Sequence, residues 1–204
     1  MFALTASECL RIRFNLLEHL VDRRLSVGGF ALQTNFGESN MKIAVFSDTH
    51  ASGSGMLDAI SEYKPDQVIH LGDGMRDTEM IGRLFPTIPV CCVPGNCDGY
   101  YDDEQNYKLI SLGPYKAFLT HGHRYAVRGG KLDVMLYAAE CCGAQIAMFG
   151  HTHRAIVDQI GGIYVINPGT AGKMPKKTWA KLEISENGEI KCEICDINQI
   201  NSQK

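Results

Sequence analysis

The chain predicts an α/β fold: two packed mixed β-sheets with helices on their outer faces, four layers in all. Three observations predict it. Between Ile43 and Val93 three short apolar runs alternate with two amphipathic stretches, the β-α-β-α-β order of a parallel sheet with crossover helices. From Tyr107 onward, β-rich runs recur in pairs around Gly-containing turns, the pattern of hairpins. Five apolar runs stop at Asp, Asn or His, and the C-terminal ends of strands are where open α/β sheets place their ligands.

The first strand is the run Ile43 to Phe46, which opens into Ser47-Asp48-Thr49-His50. Gly53-Ser54-Gly55 reads as a flexible turn. Met56, Leu57, Ile60 and Tyr63 then mark a short amphipathic helix. Pro65-Asp66 starts a second strand, Gln67 to Leu71, closed by Gly72-Asp73. Thr78 to Phe85 reads as a second helix, and Pro89 to Val93 as a third strand ending in Pro94-Gly95-Asn96. Tyr107 to Leu112 and Tyr115 to Thr120 flank Gly113-Pro114, a hairpin signal. Leu132 to Cys142 is helical, with Gly143 fitting its C-terminal cap. Gln145 to Phe149 is a strand leading into Gly150-His151. Ala155 to Ile160 and Ile163 to Ile166 flank Gly161-Gly162, and Trp179 to Ile184 and Glu189 to Cys195 flank a turn with Asn187-Gly188. The polar tail after Asp196 is expected to fray.

Residues 1–40 stand apart. Ser7 can cap a helix from about Glu8 to Arg24, with Leu10, Leu16, Leu17 and Leu20 near helical spacing, and Gly28-Gly29 would end it. Charged residues interrupt each apolar run and no small-residue cleavage site follows one, which argues against a signal peptide. Glu8, Glu18 and Asp22 argue against a basic presequence.

At 204 residues the chain fits one domain with a sizeable core. A net charge of -3 gives no general attraction to nucleic acid or an anionic membrane. No apolar run approaches the roughly 20 residues of a membrane-spanning helix. Eight cysteines raise the question of disulfides. Cys91-Cys92 and Cys141-Cys142 are adjacent pairs in apolar stretches, and Cys192 and Cys195 form one Cys-x-x-Cys without the second pair of a zinc ribbon. They read as reduced packing residues of a cytoplasmic protein.

Asp-x-His after a buried strand can be chance, and each later block is weak alone. His121 or His151 taken singly is commonly a surface or packing residue, Asn96 after Pro-Gly a turn residue, and Asp48 a helix cap. The order of the blocks is what counts: Asp48-Thr49-His50, Gly72-Asp73, Gly95-Asn96-Cys97-Asp98, His121-Gly122-His123 and Gly150-His151-Thr152-His153. Together they resemble the calcineurin-like metallophosphoesterase family, most of all its compact bacterial and archaeal phosphodiesterases. One departure stands out, Cys97 where the family usually has His. The resemblance runs from about Met41 to the C-terminus, and Met41-Lys42 looks like the start of the domain over 41–204. Residues 1–40 then read as an N-terminal extension, non-native or translated from an upstream start.

The resemblance implies a dimetal phosphoesterase, most like a phosphodiesterase, in which a metal-bridging hydroxide attacks phosphorus. Asp48, His50, Asp73 and His153 would hold one ion, and Asp73, Asn96, His121 and His151 the other, with Asp73 as the bridge. Mixed oxygen and imidazole donors suit Mn²⁺ first, then Fe, Zn²⁺ or Ni²⁺. In extended backbone, residues two apart point to one side, which would let His151 and His153, or Asp48 and His50, share a site. Asn96, Cys97, Asp98 and His123 are the candidates for catalysis. Cys97 is a weaker acid catalyst than His, which favours substrates with good leaving groups, or else it fills space. Asp98 would orient residue 97 or a ligand, and His123 would reach bound phosphate or support a ligand from behind. His70 reads as buried. Asn167-Pro168-Gly169-Thr170 resembles a loop near the family's site or is an ordinary turn, and Arg76, Arg124, Arg128 and Lys173 are phosphate contacts or solvated side chains. The expected partner is a small phosphodiester substrate, with no membrane, no nucleic acid, and a homo-oligomer left open. The alternative is a non-catalytic scaffold of the same fold that binds protein partners; a nuclease ranks below both, for want of a basic stripe.

Overall fold

The computed structural model describes residues 40–99 and 106–200, the last by its backbone alone. The helix expected from Glu8 to Arg24, and the rest of the extension up to residue 39, lie outside the described residues. Among the described residues, ten strands form two five-stranded sheets. The first has β1 (Met41–Phe46), β2 (Gln67–His70) and β3 (Val90–Cys92) in parallel, extended past β1 by the antiparallel β9 (Thr178–Ile184) and β10 (Ile190–Asp196). The second runs β4 (Tyr107–Leu112), β5 (Tyr115–Thr120), β6 (Ile146–Met148), β8 (Ile163–Asn167), β7 (Ile156–Ile160), with β5, β6 and β8 parallel.

Strand alternation builds the layers. Ile43 and Val45 of β1 face the second sheet and pack in one core with Leu119, Met148, Ile166 and Leu182. Ala44 and Phe46 point the other way, onto Met56, Ile60 and Ile81 of the helices and onto Trp179. Those four consecutive residues of β1 are fully buried, and each large one contributes about 1.5–3 kcal/mol. The helices are α1 (Ser54–Tyr63), α2 (Met75–Leu84), α3 (Asp133–Cys141) and the short α4 (Ile197–Ile200). The expected architecture is therefore the observed one.

Three local expectations are corrected. Ser54 and Gly55 belong to the first turn of α1, because Gly55 lies so close to Ile197 that a Cβ there would collide with it. α2 begins at Met75, three residues earlier than its apolar periodicity suggests, because Asp98, distant in sequence, accepts the Met75 N–H and caps it. The tail does not fray at once: Ile197 is buried against α1, in the cluster that holds Ala44 and Phe46, and its N–H donates to the Lys177 carbonyl. The seven cysteines among the described residues are all free thiols.

Parallel strands end on the same edge of a sheet. The loops after β1, β2 and β3 carry Asp48-His50, Asp73 and Asn96-Asp98, and those after β5, β6 and β8 carry His121-His123, His151-His153 and Asn167-Thr170. Two sheet edges thus bring six loops to one end of the sandwich.

Candidate metal centre

Two buried aspartates form the centre. Asp48 is fully buried; its Oδ2 accepts Ser47 Oγ–H at 2.5 Å and the His151 N–H at 3.0 Å, and its Oδ1 is left to the histidines of the cluster. Asp73 is 4% exposed, and its Oδ1 accepts the Cys97 N–H at 2.7 Å. Each carboxylate is therefore fixed by one oxygen and directs the other into the cluster. Asp48 Oδ1 lies 3.1 Å from His153 Nε2 and 3.9 Å from His50 Nε2. Asp73 Oδ2 lies 3.5 Å from His121 Nε2 and 3.8 Å from His50 Nε2.

His121 shows what the cluster lacks. Its Nδ1 sits 2.7 Å from the Leu71 carbonyl oxygen, so that nitrogen carries the proton and donates. The neutral ring then offers an acceptor at Nε2. Facing it are Asn96 Oδ1 at 3.2 Å, Asp73 Oδ2 at 3.5 Å and Asp48 Oδ1 at 4.0 Å. Four acceptors converge, and only a cation between them, a proton or a metal, reconciles them. Burial alone would push the His121 imidazole down, yet the Asp73 contact and the charges of Asp48 and Asp73 raise it. Burial likewise pushes Asp73 up, but His121 and the Cys97 N–H hold it well below the usual carboxylate range. The bond to Asp48 raises His153. Among the described residues, three trios have donor atoms mutually within 4.8 Å: Asp48-His50-His153, Asp48-Asp73-His121 and His50-Asp73-Cys97. The donor set fits a divalent cation.

The remaining expected residues fall around this core. Asn96 stands beside His121. The His151 ring is 5.0 Å from the His121 ring, outside the three trios, and burial followed by the charge of His121 lowers it. His123 lies 5.3 Å from His121 between ring centres, with a buried, unpartnered Nδ1; burial, then the charges of His121 and Arg124, push it down to about 4. Arg128 acts on His151 in the same sense, while Arg76 and Lys173 are exposed. Asp98 does not touch the cluster. Its Oδ2 accepts the N–H of Asp73 at 2.7 Å and of Gly95 at 2.8 Å, and its Oδ1 that of Met75 at 2.9 Å. It ties the second and third loops together behind Asp73. For Cys97, burial first and Asp73 second push the thiol up.

One expectation about backbone is overturned. Asp48, His50, His151 and His153 are not extended residues sharing a strand face. Their φ angles are +55°, +46°, +64° and +56°, and Asp73 is at +55°. These left-handed conformations are disfavoured for residues with a Cβ, and the surrounding contacts over-determine them. The Asp48 N–H donates to the Gly72 carbonyl, the His50 N–H to the Asp73 carbonyl, and Thr170 Oγ1 to the Asp48 carbonyl at 2.8 Å. Asn167 Nδ2 donates to the Gly150 carbonyl and to Thr152 Oγ1, so the loop after β8 braces the one carrying His151 and His153. Gly150 has no alternative: a Cβ there would overlap Ser47 Oγ and press on Asp48 Oδ2. Sequence reasoning gave Ser47 and Thr49 no supporting role, and it placed Thr170 in a loop near the family's site or in an ordinary turn. The signal for Ser47 and Thr49 was a hydroxyl residue before or after each ligand of the first block. Thr49 Oγ1 meets His70 Nε2 at 3.3 Å, which makes the fully buried His70 the floor beneath that block.

The sequence pattern of the calcineurin-like phosphoesterase superfamily domain matches residues 41–187. The chain belongs to that family. It is 32% identical over 133 residues to the Bacillus subtilis protein named "Probable metallophosphoesterase YsnB", covering 64% of this chain and 75% of that one. It is 28% identical over 152 residues to a phosphodiesterase of Methanocaldococcus jannaschii, covering 63% and 83%. Among solved structures, the Vps29 of Entamoeba histolytica, crystallised with Zn²⁺, superposes with a TM-score of 0.59 at 23% identity, over 78% of this chain and all of that one. That likeness shows the shared fold. No helix among the described residues is long and apolar enough to cross a membrane.

Proposed function

We propose that this family member is a phosphodiesterase working with two divalent cations, held by Asp48, His50, Asp73 and His153 on one side and by Asp73, Asn96, His121 and His151 on the other. The observation that carries the reading is the convergence of four acceptors at His121 Nε2. When bound, such a pair of cations would supply a water-derived nucleophile at neutral pH and would neutralise phosphate oxygens. The residues do the rest. Asp73 is the better candidate to serve both ligand sets, because its Oδ1 is pinned and its Oδ2 lies nearer than Asp48 Oδ1 to both His50 and His121, at 3.8 and 3.5 Å against 3.9 and 4.0 Å. The Leu71 carbonyl fixes the His121 tautomer so that Nε2 faces the cluster. Burial and the charges of His121 and Arg124 push His123 down to about 4, which favours a neutral ring that orients a bound phosphate over one that protonates a leaving group. Cys97 is exposed at the rim and is a poor proton donor. Both facts favour substrates with good leaving groups, and a diester needs less charge neutralisation than a monoester dianion. The free cysteines favour a cytoplasmic setting.

The test is metal analysis with kcat/KM for matched bis-aryl phosphates and aryl monophosphates. Two equivalents of Mn²⁺, Fe, Zn²⁺ or Ni²⁺ with faster diester turnover support the reading. A metal-free protein that hydrolyses neither ester at any metal concentration refutes it. The second reading, a protein-binding scaffold, rests on the fold shared with Vps29, and turnover at the metal-loaded site would dispose of it.

A further inference from the structure

Cys97 occupies a position that packing does not explain. It is exposed, yet its place is fixed. Its N–H donates to Asp73 Oδ1 at 2.7 Å, and Asp98 grips the chain on both sides of that contact through the N–H groups of Gly95 and Asp73. The thiol is thereby set beside Asp73. Its Sγ, a ring nitrogen of His50 and a carboxylate oxygen of Asp73 lie within 4.8 Å of one another. Bonds of about 2.3 Å to sulfur and about 2.0–2.1 Å to imidazole nitrogen span up to about 4.4 Å, so small rotations of side chains close the trio on one ion. Asn96 Nδ2 also donates to Sγ at 3.3 Å while Asn96 Oδ1 faces His121. Sulfur is thus the acceptor that orients the Asn96 amide. A separate observation marks the same cluster as a cation site: Asp48 Oδ1, on a fully buried side chain, is directed into it among three imidazoles, 3.1 Å from His153 Nε2, 3.9 Å from His50 Nε2 and 4.0 Å from His121 Nε2.

We propose that Cys97 is itself a metal ligand, through its thiolate, to the cation that His50 and Asp73 contact. The inference rests on the metal-centre reading above. On binding, the S–H bond breaks, the proton leaves to solvent, and a sulfur lone pair forms the bond to the metal. A thiolate donor makes that position softer than an all-oxygen and imidazole set, so it favours Zn²⁺ or Co²⁺ over Mn²⁺. Side by side, the two positions would then differ in metal preference.

Co²⁺ titrated into the metal-free full chain reads this without reference to activity. Visible ligand-field bands report Co²⁺ in any such site, whereas a thiolate-to-cobalt charge-transfer band in the near ultraviolet requires sulfur. Wild type is expected to show both, and Cys97→Ser to keep the visible bands and lose the charge-transfer band. Losing a group that merely supports a ligand costs about 10–100-fold in metal affinity, so Zn²⁺ affinity in Cys97→Ser should fall by at least about tenfold, with Mn²⁺ little changed. Visible bands without a charge-transfer band in wild type, or a band that persists in Cys97→Ser, overturn the role of Cys97 and leave the metal centre intact. Absence of any Co²⁺ signal overturns the metal centre, and this inference with it.

Discussion

Asp98→Asn probes how the fold holds its central carboxylate. Asp98 accepts three backbone N–H groups, two on Oδ2 from Asp73 and Gly95 and one on Oδ1 from Met75. Hydrogen bonds to a charged group contribute about 1.5–3 kcal/mol each. Asparagine keeps one acceptor and turns an NH₂ toward a donor. With its oxygen kept on Asp73 and Gly95, those two bonds fall to neutral strength and the Met75 bond, with its favourable charge at the start of α2, is lost. Asp98 is partly exposed, so water recovers some of this. The expected loss is about 2–4 kcal/mol, or roughly 5–15 °C in Tm for a domain of this size. Metal affinity should fall about 10–100-fold, because the Asp73 backbone loses its anchor. Urea unfolding of the metal-free protein at pH 7 and a metal titration measure the two effects. A variant within about 0.5 kcal/mol of wild type, with unchanged metal affinity, would refute the reasoning.

Asp73→Asn should lower the content of both metals together and abolish diester hydrolysis, because it removes the charge on the carboxylate that stands nearer both His50 and His121, at 3.8 and 3.5 Å against 3.9 and 4.0 Å for Asp48; elemental analysis checks it, and loss of a single ion would argue against a shared ligand. His70 is buried and titrates near 4, against about 6.5 in an unfolded chain. Above pH 6.5 neither state carries its proton. Between 6.5 and 4 the unfolded chain takes the proton first, so stability falls as pH falls, by roughly 3 kcal/mol at the limit. Urea unfolding of the metal-free protein at pH 7 and pH 4.5 should show the drop, and His70→Gln should shrink it. A chain beginning at Met41 should fold and hydrolyse diesters like the full chain, since β1 and all six loops lie after that point; an insoluble product would give residues 1–40 a structural part.

The fold was legible because its signals are local. The runs Tyr107 to Leu112 and Tyr115 to Thr120 end where the strands end, and Gly113 turns between them. Apolar alternation in β1 assigns Ile43 and Val45 to one core and Ala44 and Phe46 to another. The order of the ligand blocks was legible for the same reason, since each stands at a strand end. What the sequence hid was non-local. α2 starts where Asp98 caps it, and Asp98 lies 23 residues beyond Met75. Gly55 reads as a turn residue until Ile197 is found against it. His70 reads as one more buried strand residue until Thr49 is found on its ring.

The backbone of the ligand loops connects these points. Alternate side chains on a strand leave it about 6.6 Å apart, whereas ligands to one ion must bring their donor atoms within about 4 Å. The chain meets this by entering the left-handed region at five of the seven expected ligands. Five of the eight non-glycine residues with positive φ among those described are Asp48, His50, Asp73, His151 and His153. Each such conformation costs about 1–3 kcal/mol and persists only where neighbours enforce it. Here the neighbours are Ser47, Thr170, Asn167 and Asp98, none of which has to touch a metal to do so. The strain is therefore held by protein hydrogen bonds, which set the donors close together. A centre arranged in this way should bind metal without a large folding step, and its affinity should respond to the four supporting residues as well as to the ligands themselves.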